Sequence, residues 1–293
     1  MAITENTKGA RILVAGCGNL GGMIARRLSQ SHTVFGLRRN AAAVPDTVIP
    51  VAADLLDAEA LTKAVPRALD VIIYCLAPSS YDETGYENAY VNGLINLLAA
   101  SDGSTLRQLV YISSTSVYHQ NDDSWVDETS ATEPRRFSGQ CVLAGEQLAL
   151  ASGFQSTVVR FSGIYGPSRR RFLEAVTKGE MAPSKPAPYS NRIHEHDAAR
   201  AVTHLVQLAL GGERIEPCYL ASDNEPARLD EVVAWVRSQI PSEAPKPDAR
   251  TGGRAGSKRC SNQRLRDSGF VFDYPDYRAG YGEMISQGMA GGN

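Results

Sequence analysis

Gly16, Gly18 and Gly21 stand in a G-x-G-x-x-G spacing, directly after the apolar run RILVAG and at the start of a helical stretch. That context gives the spacing its chemistry. The first glycine permits a tight turn, the second lets the backbone approach a pyrophosphate, and the third lets helix pack on strand. Phosphates would rest at the helix start, on Asn19 and Leu20, where free N–H groups and the helix dipole favour an anion. The alternative is a tight turn with no ligand. About 20 residues further on, an NAD site places a carboxylate against the ribose 2′-hydroxyl, but this chain has Arg38 and Arg39. Guanidinium groups pair bidentately with a 2′-phosphate, so NADP is the expected cofactor ahead of NAD, a solvated loop face being the other reading of the pair. Asp54, in VAADL, suits an adenine contact or a helix cap. Leu55 beside it, and Leu76 and Ala77 at the end of DVIIYCLA, complete the expected cofactor set.

Residues so spaced need a scaffold of alternating strands and helices. RILVAG, TVFGL, VIPVAA, DVIIYCLA, QLVYIS and TVVRF read as buried strands. Between them, residues 20–29, 58–65, the stretch carrying Val91, Leu94, Ile95, Leu97 and Leu98, and 142–151 read as helices. This alternation predicts an α/β fold, a doubly wound Rossmann sheet of parallel strands covered on both faces. After TVVRF the pattern changes character, and the family resemblance carried by the motifs quoted below implies a small C-terminal substrate-side domain there. The dinucleotide-binding domain would span 1–165, completed by about 191–222, and the smaller domain 166–190 and 223–293. In the latter, 182–190 (APSKPAPYS) reads as a lid or crossing loop, Leu229–Ile240 as an amphipathic helix, and 241–257, rich in Pro and Gly, as a mobile loop. The GMAGGN tail is expected to fray.

Composition narrows the class of function. The 293 residues are 43% hydrophobic and carry 30 Lys+Arg against 32 Asp+Glu, a formal charge of −2 that offers no global attraction for nucleic acid or anionic lipid. The five cysteines are widely spaced, with no Cys-x-x-Cys pair, so neither a disulfide framework nor a zinc knuckle is expected, which suits a reducing cytoplasm. Met1 to Ala10 is polar, and the longest aliphatic stretch, Val71 to Ala77, is far shorter than the ~20 residues of a membrane helix. A cytoplasmic protein without a membrane or nucleic-acid partner is expected.

Several further stretches, VAGCGNLGG, AADL, YVNGLINLL, VYISSTSVY, VVRFSGIYGP and NRIHEHDAARA, together resemble the extended short-chain dehydrogenase/reductases of the NAD(P)-dependent epimerase/dehydratase type, over nearly the whole chain. The pattern is most similar to their atypical, YeeZ-like group. The resemblance implies a catalytic hydroxyl at Ser114, four residues before Tyr118, and a helix-borne polar group, Asn92, near the site. It also implies a Tyr-x-x-x-Lys pair ahead of LAGEQLA, where this chain reads SGQCV. Ser138 stands at the tyrosine position and Val142 at the lysine position. The tyrosine works as an acid/base because a nearby lysine and the cofactor's charge lower its pKa from ~10. A serine cannot imitate that, so the usual mechanism is closed.

Other groups come into question for the acid: Tyr118 and His119 after the Ser114 strand, Tyr165 in IYGP and His194 in RIHEHD, each with a plain structural alternative. Ser114, Ser138, Tyr118 and Asn92 form the catalytic set. Tyr165, Arg171, Arg192 and His194 form a substrate set, the arginines suiting an anionic or nucleotide-sugar-like small molecule or else a solvated basic turn. No metal is expected, because His-x-His lacks further ligands, and Asp197 is expected to cap a helix. The expected function is that of an NAD(P)-binding oxidoreductase or epimerase-like enzyme, monomeric or homodimeric. The alternative is a non-catalytic NADP sensor or scaffold.

Overall fold

The fold is described from a computed structural model over residues 9–252 and 256–288. The polar start, Met1–Lys8, part of the 241–257 loop and nearly all of the tail expected to fray lie outside the described residues. The first half alternates as the apolar runs require: β1 (Arg11–Ala15), α1 (Asn19–Leu28), β2 (Thr33–Arg38), β3 (Ile49–Ala52), α2 (Ala58–Ala64), β4 (Val71–Tyr74), α3 (Glu83–Glu87), α4 (Gly93–Ala100) and β5 (Gln108–Ser114). There follow β6 (Trp125–Val126), α5 (Phe137–Leu150), β7 (Ser156–Phe161), β8 (Gly163–Tyr165), α6 (Arg171–Thr177), β9 (Tyr189–Ser190), β10 (Arg192–His194), α7 (Glu195–Leu210) and β11 (Cys218–Ala221). The chain ends with β12 (Ala227–Arg228), α8 (Leu229–Gln239), β13 (Arg259–Cys260), α9 (Gln263–Asp267) and α10 (Tyr277–Ser286).

Seven strands form a Rossmann-like parallel sheet in the order β11-β7-β5-β4-β1-β2-β3. Parallel strands buried on both faces are apolar throughout, and β1, β2, β4 and β5 are accordingly buried almost end to end. The order reverses between β1 and β4, and in such sheets ligands bind beyond the carboxyl ends of the strands at that reversal.

The chain divides into two compact units. One comprises Met1–Val117, Pro134–Val159 and Ala199–Cys218, and the other Tyr118–Glu133, Arg160–Ala198 and Tyr219–Asn293. The expected boundaries placed Tyr118–Glu133 with the nucleotide-binding part. Its contacts run elsewhere, because β6 pairs with β13 and Asp123 accepts from Arg228 and Ser257. The first core gathers Leu13, Leu37, Ile72, Leu94, Leu97 and Leu109, and the second Leu173, Val176, Val232, Val236, Tyr277 and Tyr281. The segment expected to be a mobile loop after α8 is tied down in part, since the N–H groups of Glu243, Lys246 and Arg250 donate to the carbonyls of Thr177, Gly179 and Glu180. The lid segment is likewise bonded, with Ala182 and Ser184 donating to Arg250 and Thr251. Among the described residues, no helix is long and apolar enough to cross a membrane.

A π-helical turn, Asn88–Asn92, precedes α4. Two buried tyrosines from the sheet reach carbonyls of this turn: the Tyr74 hydroxyl donates to Ala89 at 2.7 Å and the Tyr111 hydroxyl to Tyr90 at 3.3 Å. Glycines make the room. A Cβ at Gly93 would lie 2.6 Å from the Tyr74 hydroxyl, and one at Gly145 2.0 Å from the Tyr111 hydroxyl and 2.3 Å from the Tyr90 carbonyl oxygen. Gly145→Ala is therefore expected to destabilise the protein by about 1–3 kcal/mol, read as a lowered urea midpoint. An unchanged midpoint would refute the packing described.

Candidate functional site

The glycine loop sits at the reversal of strand order. Gly16 has φ +91°, and a Cβ there would come within 2.2 Å of the Cys75 carbonyl oxygen at the end of β4, so only glycine fits. A Cβ at Gly21 would lie 2.2 Å from the Gly16 carbonyl oxygen, which is the close packing of helix on turn that the spacing demands. Gly18 differs: a Cβ there would meet nothing within 4 Å. The open side of the loop is thus at Gly18, and the start of α1, at Asn19 and Leu20, has no side-chain cap on its N–H groups. An uncapped, exposed helix start beside a glycine with free space fits a dinucleotide pyrophosphate.

Arg38 stands against this loop. Its Nη1 donates to the Cys17 carbonyl at 3.3 Å and to the Ala43 carbonyl at 3.1 Å, and its charge partly offsets the upward push of burial on the Cys17 thiol. Arg39 is exposed beside it. Leu76 also borders the loop, since its Cδ1 lies 2.9 Å from where a Gly16 Cβ would be, and Ala77 is exposed next to it. Asp54 accepts from the Leu56 N–H at 3.0 Å and so closes a turn, whereas the cap of α2 is Asp57, which accepts from Ala60. The Leu55 side chain belongs to the first core and its carbonyl accepts from Asn96.

Ser114 ends β5, with its Oγ accepting from the Ser116 N–H at 3.2 Å. The hydroxyl closes the strand end in this way and is still able to donate. The preceding Ser113 is buried and donates to the buried Glu146 of α5. Ser138 lies in the first turn of α5, and a Cβ on the neighbouring Gly139 would fall 2.5 Å from the Ser116 carbonyl oxygen, so this helix start is pressed onto the turn that follows Ser114. Val142 is 1% exposed and offers neither charge nor hydrogen bond. Asn92 donates to the Asn88 side chain at 2.9 Å within the π-helical turn.

Tyr118 falls in the second unit. Its hydroxyl donates to the Asp127 carbonyl at 2.7 Å and accepts from Arg160 at 2.9 Å, and the ring is buried beneath the Arg160 guanidinium. Of the substrate set, Arg171 is exposed at the start of α6, but the other three are buried in the second unit. Tyr165 packs on Tyr281 with ring centres 4.4 Å apart, in a pocket where a Cβ at Gly280 would touch its hydroxyl, and burial pushes its pKa far up. Arg192 bonds Ser190 and lies over the Tyr277 ring, and His194 stacks on Tyr274 at 3.8 Å. All three are held within the second unit, where the Tyr165 hydroxyl and Arg192 Nη1 are buried without a hydrogen-bond partner. Asp197 lies at the third position of α7. It is buried in the first turn of α7 and accepts from the Asp273 and Tyr274 N–H groups. His119 lies 3.9 Å from Glu133. Among the described residues, no group of three or more His, Cys, Asp or Glu is arranged to hold a metal ion.

Burial lowers the pKa of His194. The unfolded chain therefore takes up this proton at a higher pH than the folded one. The stability linked to it is complete above about pH 6.5 and is lost as pH falls below that value toward the lower folded pKa. His194→Phe, which keeps a ring against Tyr274, is expected to flatten the fall in Tm between pH 7 and pH 5. An equally steep fall in the variant would exclude His194 as a source.

What sequence reading missed here is the ring-rich surface of YDETGYENAY. Tyr81, Tyr86 and Phe137 meet edge to face, with ring centres 5.4–5.6 Å apart. The density of tyrosines in ten residues was the available signal.

The chain is similar in sequence and fold to known proteins. The chain is 25% identical over 241 residues, 74% of its length and 77% of the relative's, to a 3-diazoavenalumate denitrifying reductase of Streptomyces sp. A Methylobacillus flagellatus protein assigned to the NAD-dependent epimerases/dehydratases superposes with a TM-score of 0.81 at 36% identity, covering 96% of this chain and 99% of that one. A UDP-N-acetylglucosamine 4-epimerase from Methanobrevibacter ruminantium M1, solved with UDP-N-acetylmuramic acid, shares the fold at 16% identity, with a TM-score of 0.77 and coverage of 96% and 100%. The NAD dependent epimerase/dehydratase family matches residues 12–213, the span holding the glycine loop, Ser114 and Ser138, and the chain belongs to that family.

Proposed function

We propose that this family member is an NADP-dependent oxidoreductase of the atypical, YeeZ-like kind, acting on a small molecule without a Tyr–Lys pair. The observation that carries the reading is the glycine loop, open at Gly18 and braced by Arg38 where an NAD site would present a carboxylate. Bound NADP(H) would supply or accept hydride. The chain's own residues hold it: the Gly16–Gly21 loop and the start of α1 take the pyrophosphate, Arg38 and Arg39 the 2′-phosphate, and Asp54, Leu76 and Ala77 border the site. Ser114 donates a hydrogen bond to the substrate oxygen, and Ser138, at the start of α5, lines the same end. Asn92 steadies the π-helical turn through Asn88. Arg171, exposed, offers a contact to an anionic part of the substrate. The relative named as a reductase favours reduction over epimerisation.

A cytoplasmic setting and a homodimer through α4 and α5, where Ile95 and Leu150 are exposed, belong to the same proposal, as does the division into a nucleotide-binding part and a smaller substrate-side part. A protein that sediments as a monomer would reject the dimer.

The test is transfer of deuterium from 4-deuterated NADPH to members of a carbonyl panel. Ser114→Ala is expected to lower kcat/KM by about 100-fold with the dinucleotide affinity unchanged. The buried Val142 and Ser138, in place of Lys and Tyr, favour a second reading: an NADP sensor without chemistry. No label transfer to any carbonyl, together with a cofactor-dependent protein partner, would establish that reading instead.

A further inference from the structure

We propose that Tyr81, Tyr86 and Phe137 form a platform for an aryl group of the substrate, an inference that rests on the enzyme reading above and names its substrate class. The three rings come from separate places, the loop after β4, α3 and the first residue of α5. They meet as a triangle. Ring centres are 5.5 Å apart for Tyr81 and Tyr86, 5.6 Å for Tyr81 and Phe137 and 5.4 Å for Tyr86 and Phe137, with interplanar angles of 90°, 66° and 87°. Tyr90 extends the group, 5.7 Å from Tyr86.

Rings so arranged usually fill a core, yet Tyr81 is 71% exposed and neither Tyr86 nor Phe137 is buried. Edge-to-face rings present both electron-rich faces and electron-poor edges outward, the pattern that another aromatic ring matches and a saturated one does not. The platform is continuous with the proposed site. Phe137 immediately precedes Ser138, and α5 at Gly139 is pressed onto the Ser116 carbonyl, next to Ser114. Tyr81 lies four residues beyond Ala77 in the loop after β4, whose first residues, Cys75 and Leu76, border the glycine loop. An aryl group lying on the three rings would leave an attached oxygen function toward the Ser114 and Ser138 hydroxyls. Asp82, Glu83 and Glu87 stand on the same segment, so the ring end of the substrate is not anionic.

The test compares cinnamyl alcohol with 3-cyclohexylpropan-1-ol, similar in size and saturated, by calorimetric titration of the full chain with and without NADP. Cinnamyl alcohol is expected to bind about tenfold more tightly than the saturated alcohol. Tyr81→Ala and Phe137→Ala should each erase most of that advantage, and Tyr81→Phe should keep it. Tyr81 is mostly exposed, so its alanine variant is expected to retain the parent's circular dichroism and Tm; Tyr81→Phe covers the case in which it does not. Equal affinities, no binding of cinnamyl alcohol, or an aryl preference indifferent to Tyr81→Ala would each overturn the proposal. So would a change of oligomeric state in Tyr81→Ala without loss of aryl preference, which would mark the rings as a subunit contact. Ring-dependent aryl binding with no binding of either dinucleotide would instead bring down the enzyme reading and leave the platform standing.

Discussion

A Gly18→Val protein is expected to keep the parent's fold and Tm and to lose dinucleotide affinity by about 100-fold or more. The separation of the two effects follows from the geometry. Gly18 is exposed, its φ of −85° lies on the side of the map that L-residues use, and a Cβ there meets nothing within 4 Å. The valine methyl groups would project into the space a pyrophosphate needs and block its approach to the N–H groups of α1. Gly16→Val is the contrasting control. With φ +91° and the Cys75 carbonyl oxygen 2.2 Å from its Cβ, that variant is expected to destabilise the protein itself. Thermal melts and calorimetric titration of both variants check the pair. Wild-type affinity in Gly18→Val would show that the open side of the loop faces no phosphate.

Replacing Arg38 and Arg39 together by alanine is expected to weaken NADPH binding by about 10–100-fold while NADH binding moves by less than about threefold. The 2′-phosphate is the only difference between the two ligands, so the ratio of affinities reads its contacts alone. Arg38 also braces the loop through the Cys17 and Ala43 carbonyls. If bracing is its whole role, both cofactors lose affinity equally. Titrating both ligands against the double variant and each single variant separates the two roles.

The sheet was legible because its strands are buried on both faces and so read as unbroken apolar runs. RILVAG and DVIIYCLA contain β1 and β4, QLVYIS covers β5 but for its last residue, and the helical periodicity at 229–240 becomes α8, Leu229–Gln239. The glycine loop was legible for a similar reason, since each glycine answers a local backbone need. What stayed hidden depends on partners far along the chain. Nothing in Tyr118–Glu133 announces that Trp125 pairs with Arg259, and nothing around Asp197 shows that it holds the backbone at Asp273 and Tyr274.

Burial explains the other misreadings. Tyr165, Arg192 and His194 are polar-tipped residues near strand ends, a position that suggests a site, but stacking on Tyr281, Tyr277 and Tyr274 draws them into the second core. The Pro- and Gly-rich stretch after α8 has a loop's composition, yet its N–H groups find carbonyls between Thr177 and Glu180. The π-helical turn at Asn88–Asn92 was invisible as a pattern, because two sheet tyrosines, the adjoining Gly93 and the distant Gly145 meet there.

The central claim is that the loop from Gly16 to Gly21 binds a dinucleotide and that Arg38 and Arg39 select the phosphorylated one. Titration of the purified protein with NADPH and, separately, NADH, followed by thermal stability and cofactor fluorescence, tests it most directly, because a ligand that binds the native state raises Tm by mass action. A clear rise in Tm and a fluorescence change are expected with NADPH at concentrations where NADH gives little of either. No shift with either ligand, or a stronger one with NADH, would contradict it.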